Sequence, residues 1–161
     1  MDAIDVIRKR RTVRKYTGAP IPRKDLETIV DCGRLAASGR NTQPWDFIVI
    51  TDRAMITKLK IVAEWIDGAG AVIAVVMDPS SRWWVEDGAA AVQNMLLAAT
   101  ALGYGACWLE GYTLRREDEL KIMLNVPAAR RLMTLVPVGV PAEWPTKEKK
   151  ALAEVMHWET W

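Results

Sequence analysis

One histidine, His157, and two cysteines, Cys32 and Cys107, are all the imidazole and thiol groups that this chain offers. The cysteines stand at neither metal nor C-x-x-C spacing, so a zinc site and a dithiol redox pair are excluded. No G-x-x-x-x-G-K-[ST] and no G-x-S-x-G occurs. The run Gly68-Ala69-Gly70 lacks the third glycine of a dinucleotide fingerprint, having Ile73, and it precedes a strand instead of following one. His157, beside Trp158 near the end, reads as a surface or interface ring and not as a general base. Hydrolytic machinery is therefore missing, and any redox chemistry has to be borrowed.

Charge of one sign is also missing at the level of the whole chain. Twenty-two basic and 20 acidic residues in 161 leave +2, which argues neither for a nucleic-acid binder nor for a strongly acidic partner. With half of the residues hydrophobic, one core and one domain over 1–161 are expected. The start, Met1 to Asp5, does not have the basic, apolar, small-residue order of a secretory signal; with so little cysteine, a cytoplasmic location is expected. From Gly88 to Leu109 there is no charge at all. Gln93, Asn94, Thr100 and the break at Gly103-Tyr104-Gly105 argue against a membrane span and for a helix buried on nearly all sides. Burial that complete in a small domain suggests a core extended by a second subunit.

Apolar periodicity gives the organisation. A short helix follows Asp2, with Ile4 and Ile7 on one face, and stops near Arg10. Pro20 and Pro22 precede a second helix on which Leu26, Ile29, Val30 and Gly33 share a face, ending around Ser38-Gly39. Phe47 to Ile50 reads as a buried strand, Thr51-Asp52 as the cap of a third helix, and Val72 to Met77 as another buried strand. A long helix from about Trp84 to Leu102, a short strand Ala106 to Leu109, a helix from Thr113 to about Asn125 and a strand Leu132 to Val138 complete it, followed by a basic tail after Pro141. The reading is one α+β domain of about four core strands and five helices, with the sheet covered on both faces.

The polar residues fall into four groups. The first 24 residues hold eight basic side chains against Asp2 and Asp5, a local +6 that leaves −4 for the remainder. Extended backbone through Arg10-Arg11-Thr12-Val13-Arg14 would put Arg10, Thr12 and Arg14 on one side at about 6.7 Å intervals, a face suited to a phosphate monoester. A solvated helix end and a nucleic-acid arm are the other readings of this run. Second, the loop Ser38-Gly39-Arg40-Asn41-Thr42-Gln43-Pro44-Trp45 offers amides that can match a heterocycle edge carrying N–H beside C=O, or simply satisfy one another. Third, Trp108-Leu109-Glu110-Gly111-Tyr112 ends a strand where glycine allows a ligand to approach backbone N–H groups, or is merely a turn. Fourth, Lys147-Glu148-Lys149-Lys150 is a solvated tail or a flap that returns to a phosphate.

These segments, in this order, resemble the nitroreductase family of FMN-dependent oxidoreductases in its short form. The family pattern R-R-S-x-R-x-[FY] is matched by Arg10-Arg11-Thr12-Val13-Arg14-Lys15-Tyr16, and P-S-x-x-N-x-Q-P-W by Ala37 through Trp45. The Asp-Gly/Ala-rich helix with Gln-Asn followed by G-x-G-x-x-W is matched by Asp87-Gly88, Gln93-Asn94 and Gly103 through Trp108, and the late G-x-P…K-x-R by Gly139-Val140-Pro141 with Lys147 and Lys149. The resemblance implies a three-layer α+β fold, a central, mostly antiparallel sheet flanked by helices, in a domain-sharing homodimer with FMN in clefts between the subunits. It implies that Arg10, Arg11, Thr12, Arg14, Lys147 and Lys149 hold the ribityl phosphate. Ser38, Gly39, Asn41 and Gln43 would line the ring and ribityl chain, partly from the partner, and Leu109, Glu110 and Gly111 would sit by the flavin N5. Thr12 in place of serine keeps the hydroxyl, Ala37 replaces a common proline, and Lys149 gives up the guanidinium fork of the usual arginine. The short stretch from Lys58 to Ser81 has no room for the helical lid of larger relatives.

The function implied is transfer of hydride from NAD(P)H through FMN to a nitroaromatic, quinone or similar small acceptor by a ping-pong cycle, with no catalytic side chain required. A reductase or desaturase of one specific metabolite, a non-catalytic FMN-binding module and a basic-arm nucleic-acid binder are the rival readings.

Overall fold

The computed structural model describes residues 2–161. Helix α1 (Ala3–Lys9) starts where the Asp2 carboxylate accepts the Asp5 N–H at 2.8 Å, and stops where Arg10 turns out of helical geometry. Its apolar content is split: Val6 points inward, while Ile4 and Ile7 are more than half exposed. Helix α2 (Arg23–Arg34) follows Pro22 and buries Leu26, Ile29 and Gly33. It ends earlier than the sequence suggested. Leu35 caps it, the Ala36 N–H bonds back to the Gly33 carbonyl, and the chain is extended by Ser38.

Strand β1 (Trp45–Ile50), helix α3 (Arg53–Lys58, capped by the Asp52 carboxylate on the Met55 N–H) and strand β2 (Ala71–Met77) follow as expected. Helix α4 (Trp84–Ala101), strand β3 (Gly105–Ala106), helices α5 (Glu110–Leu114) and α6 (Glu117–Met123), and strand β4 (Arg131–Gly139) complete the order. There are six α-helices and not five among the described residues, because the helix expected from Thr113 to Asn125 is two. Thr113 does not cap it. The Thr113 side chain is fully buried, its hydroxyl donating to the Leu109 carbonyl, and helix α5 already begins at Glu110. The strand expected at Ala106–Leu109 is a two-residue ladder, with Leu109 adding a separate bridge to Leu135.

The four strands form one antiparallel sheet in the order β1-β2-β4-β3. Strand β2 is central and wholly buried, and its alternation divides the core. Ile73, Val75 and Met77 face α2 and α4, against Ile29 and Met95; Val72, Ala74 and Val76 face the α3 and α6 side, against Ile56, Leu59 and Leu120. The result is the expected three-layer α+β architecture. Strand β1, read from its apolar run as buried, is an edge strand with Asp46 and Val49 exposed. Beyond β3 the residues after α1 run alongside the sheet: Thr12 bridges Ala106 in parallel, and the Val13 N–H bonds to the Ala106 carbonyl at 3.0 Å. That approach requires Gly105, since a Cβ there would come within 2.6 Å of the Val13 side chain. No described helix is long and apolar enough to cross a membrane.

Candidate functional site

Extended backbone at residues 10–14 divides the side chains by parity. Val13 is buried to zero exposure, so Thr12 and Arg14 project the other way. Arg10 and Arg14 both act on the buried Cys107 thiol, which burial pushes up and the two guanidinium groups pull down. Arg11 is not part of this group: its Nη1 donates to the Arg8 and Arg10 carbonyls at 2.8 and 2.9 Å, closing the end of α1. Behind the segment, Tyr16 donates its hydroxyl to the Val13 carbonyl at 2.7 Å. Burial raises its pKa well above the usual range, Cys107 adding to the rise and Arg14 opposing it, so it is a neutral brace.

Arg14 opens into a cavity of about 740 Å³ whose walls include Leu109, Glu110 and Gly111. Two groups read from separate stretches of sequence, the arginine segment and the strand end at Leu109–Gly111, therefore line it together. Glu110 and Gly111 form the first turn of α5, where backbone N–H groups have no helical acceptor. Nothing lies within 4 Å of where a Gly111 Cβ would stand, so that space is open. The buried indole N–H of Trp108 has no acceptor among the described residues. Tyr112, from the same stretch, lines the cavity too, and it has walls that sequence reading missed, Trp65 and Arg115. Arg115 follows directly on α5, whose start at Glu110 the sequence did not announce.

The amide loop is built with unusual backbone. Arg40, Asn41 and Gln43 all have positive φ, at 54°, 58° and 49°, which for non-glycine residues is held only by surrounding structure. Two bonds hold it: the Asp87 carboxylate accepts the Gly39 N–H at 2.9 Å, and the Ser38 hydroxyl accepts the Gln43 N–H at 3.0 Å. Gly39 is forced, because a Cβ would fall 2.2 Å from the Trp83 ring. Asp87 is itself buried, its second oxygen without a partner among the described residues. Its part in this loop was also not legible.

The two halves do not meet within one chain. Gln43 leads into Trp45, which pairs with Met77 at the outer edge of the sheet; Thr12 pairs with Ala106, which pairs with Val138 opposite Ala71, at the other edge and the other end. Four inter-strand steps and six residues along β2, from Ala71 to Met77, separate them, roughly 28 Å on the diagonal. The cavity at Arg14 accordingly excludes Ser38, Gly39, Asn41 and Gln43. Lys147 and Lys149 lie in an exposed tail; the neighbouring Trp144, Pro145 and Thr146 line a different cavity with Lys9 and Arg11. No group of three or more His, Cys, Asp or Glu among the described residues is arranged to hold a metal ion.

A large cavity lined by Arg14, Arg115 and the first turn of α5, on an antiparallel sheet between helical layers, is what this α+β fold presents. A family model described as Nitroreductase family matches residues 7–63 and 58–140, and the chain belongs to that family. A protein of Methanothermobacter thermautotrophicus, provisionally named NADH dehydrogenase/NAD(P)H nitroreductase, is 32% identical, the match covering 100% of this chain and 88% of that protein. A nitroreductase, also provisionally named, of Desulfovibrio desulfuricans, solved in complex with FMN, superposes with a TM-score of 0.86. It is 29% identical, with 100% of this chain and 98% of that one covered. The iodotyrosine deiodinase of Nematostella vectensis is 26% identical, over 93% of this chain and 72% of its own length.

Proposed function

We propose that this chain is an FMN-dependent NAD(P)H oxidoreductase of the nitroreductase kind, working as a homodimer with a cleft at each end of the subunit interface. The observation that carries the dimer is the diagonal separation: the arginine segment and the amide loop lie too far apart to grip one small cofactor, and a second copy brings one chain's loop to the other's arginines. The exposed Ile4, Ile7 and Leu35 beside the groove between α1, α2 and α4 give that pairing an apolar surface.

The residues present fit FMN. Arg10 and Thr12 supply charged and uncharged donors for a phosphate, with Lys147 and Lys149 closing over it from the tail. Arg14 and the N–H groups of Glu110 and Gly111 line one cavity, where they stabilise negative charge on a bound ring, and the open space at Gly111 lets the ring approach the backbone. Ser38, Gly39, Asn41 and Gln43 of the partner subunit then face the heterocycle edge, with the strained loop holding their amides in fixed directions. When bound, FMN supplies hydride acceptance and donation at N5, so the protein needs no nucleophile or acid–base pair. A single cavity shared by donor and acceptor implies that the oxidised nicotinamide leaves before the acceptor enters, a ping-pong order.

Purification under mild conditions should give a yellow protein with a flavin spectrum that bleaches on anaerobic addition of NADH or NADPH and recovers with a nitroaromatic or quinone. A colourless protein that takes up no added FMN contradicts the reading; FMN bound tightly but reduced by neither nicotinamide favours the non-catalytic module instead.

A further inference from the structure

The cavity at Arg14 has a wall with no part in the cofactor fit above. On it stand two aromatic rings, Trp65 and Tyr112, and the guanidinium of Arg115. Tyr112 is 57% exposed. Arg115 lies over it, with the guanidinium carbon 5.5 Å from the ring centre. That contact holds the planar fork against an aromatic face and so orders it in advance. Neither Arg14 nor Arg115 takes part in an ion pair among the described residues. Two acids line the cavity: Glu64, held by Lys60 at 2.6 Å, and Glu110 at the start of α5, which is in no ion pair among the described residues.

We propose that Trp65, Tyr112 and Arg115 form the acceptor-recognition wall of the cleft, and that they select flat aromatic acceptors carrying an anionic substituent such as a carboxylate. The inference rests on the flavin reading, and its logic is a division of cations. Arg10 and Arg14 are matched to the anionic cofactor. An acceptor bearing its own negative charge needs a further cation at stacking distance from aromatic surface, and Arg115 beside Tyr112 supplies it. The rings give sequence-tolerant stacking of any flat acceptor, while the fork adds paired bonds to a carboxylate that a neutral analogue cannot accept in the same way. Selectivity then comes from charge, and orientation from the rings.

The test is titration of the FMN-loaded protein with benzoate and with benzyl alcohol, two non-reducible ligands of similar size, followed by tryptophan fluorescence and by calorimetry. Benzoate is expected to bind about tenfold more tightly, the order of one charge-assisted pair, with the preference shrinking as salt rises. Arg115→Gln should abolish the preference and Arg115→Lys should restore part of it. The ratio of kcat/KM for 4-nitrobenzoate over 4-nitrobenzyl alcohol should fall in parallel. Equal binding of the two ligands to the wild-type protein, a comparison needing no variant, overturns the proposal, as does a preference that survives in Arg115→Gln. A protein that takes up no FMN overturns the flavin reading itself, whereas one that holds FMN but shows no preference overturns only this inference.

Discussion

Gly111 and Asp87 show how differently two residues of one cleft depend on the chain around them. The space where a Gly111 Cβ would stand is empty, and its backbone is not in the left-handed region, so the protein's own packing makes no demand for glycine there. Gly111→Val should leave the melting temperature within about 2 °C of the parent while weakening FMN at least about tenfold, read by thermal unfolding and by flavin fluorescence titration. Unchanged FMN affinity would remove Gly111 from the cofactor wall. Asp87 acts through the loop: its carboxylate anchors the Gly39 N–H beside three residues of positive φ. Asp87→Ala should speed amide hydrogen exchange at Gly39 by about tenfold or more, since one anchoring bond of roughly 1.5 kcal/mol is lost, and should loosen FMN. Exchange at Gly39 that does not change would show that the loop holds its shape without this anchor.

The elements differ in how far the sequence announces them. Asp2 and Asp52 sit at the caps they were read as forming, and β2, with apolar residues at every position, could only be a strand buried on both faces. The start of α5 was hidden because Thr113 has the chemistry of a cap but is used as a buried tie: its hydroxyl donates to the Leu109 carbonyl and lies 3.3 Å from the Leu135 N–H, which it accepts. The edge position of β1 was hidden as well, because an apolar run does not say whether a strand's outer side is met by another strand. Helix α6 is fixed to β4 by Glu117, which accepts from Arg131 at 2.7 and 2.8 Å and from the Leu132 N–H at 3.0 Å. Burial pushes the Glu117 carboxyl up, but these bonds, with the charges of Arg131 and Lys121, outweigh it and hold it below the ordinary value of 4.5. A lowered folded value means that the stabilisation is complete above the unfolded value and is lost as pH falls through the folded one. Glu117→Gln should therefore lower the urea midpoint at pH 7, with the gap to the parent narrowing as pH drops below about 4.5. A gap of constant size from pH 7 to pH 3 would mean that the pair contributes nothing through its charge.

At the scale of the molecule, the motifs at Arg10–Arg14, Ser38–Gln43 and Leu109–Gly111 were legible as three polar clusters, but not their placement. Strand order decides that placement, and local periodicity carries no information about strand order. Once the order β1-β2-β4-β3 is known, the arginine segment and the amide loop fall at opposite corners, and the proposed cofactor cleft then calls for two chains. That claim is tested most directly by complementation. Arg10→Ala/Arg14→Ala removes one half of the cleft and Asn41→Ala/Gln43→Ala the other, so each double variant should be inactive and poor in FMN. When the two are unfolded together and refolded in equal amounts, half of the dimers are mixed, and in each of these one cleft is composed only of intact halves. The account predicts that FMN binding and NAD(P)H-dependent turnover return to about a quarter of the parent level. A mixture that stays as inactive as its two components would contradict it, and would mean that each cleft is drawn from a single chain.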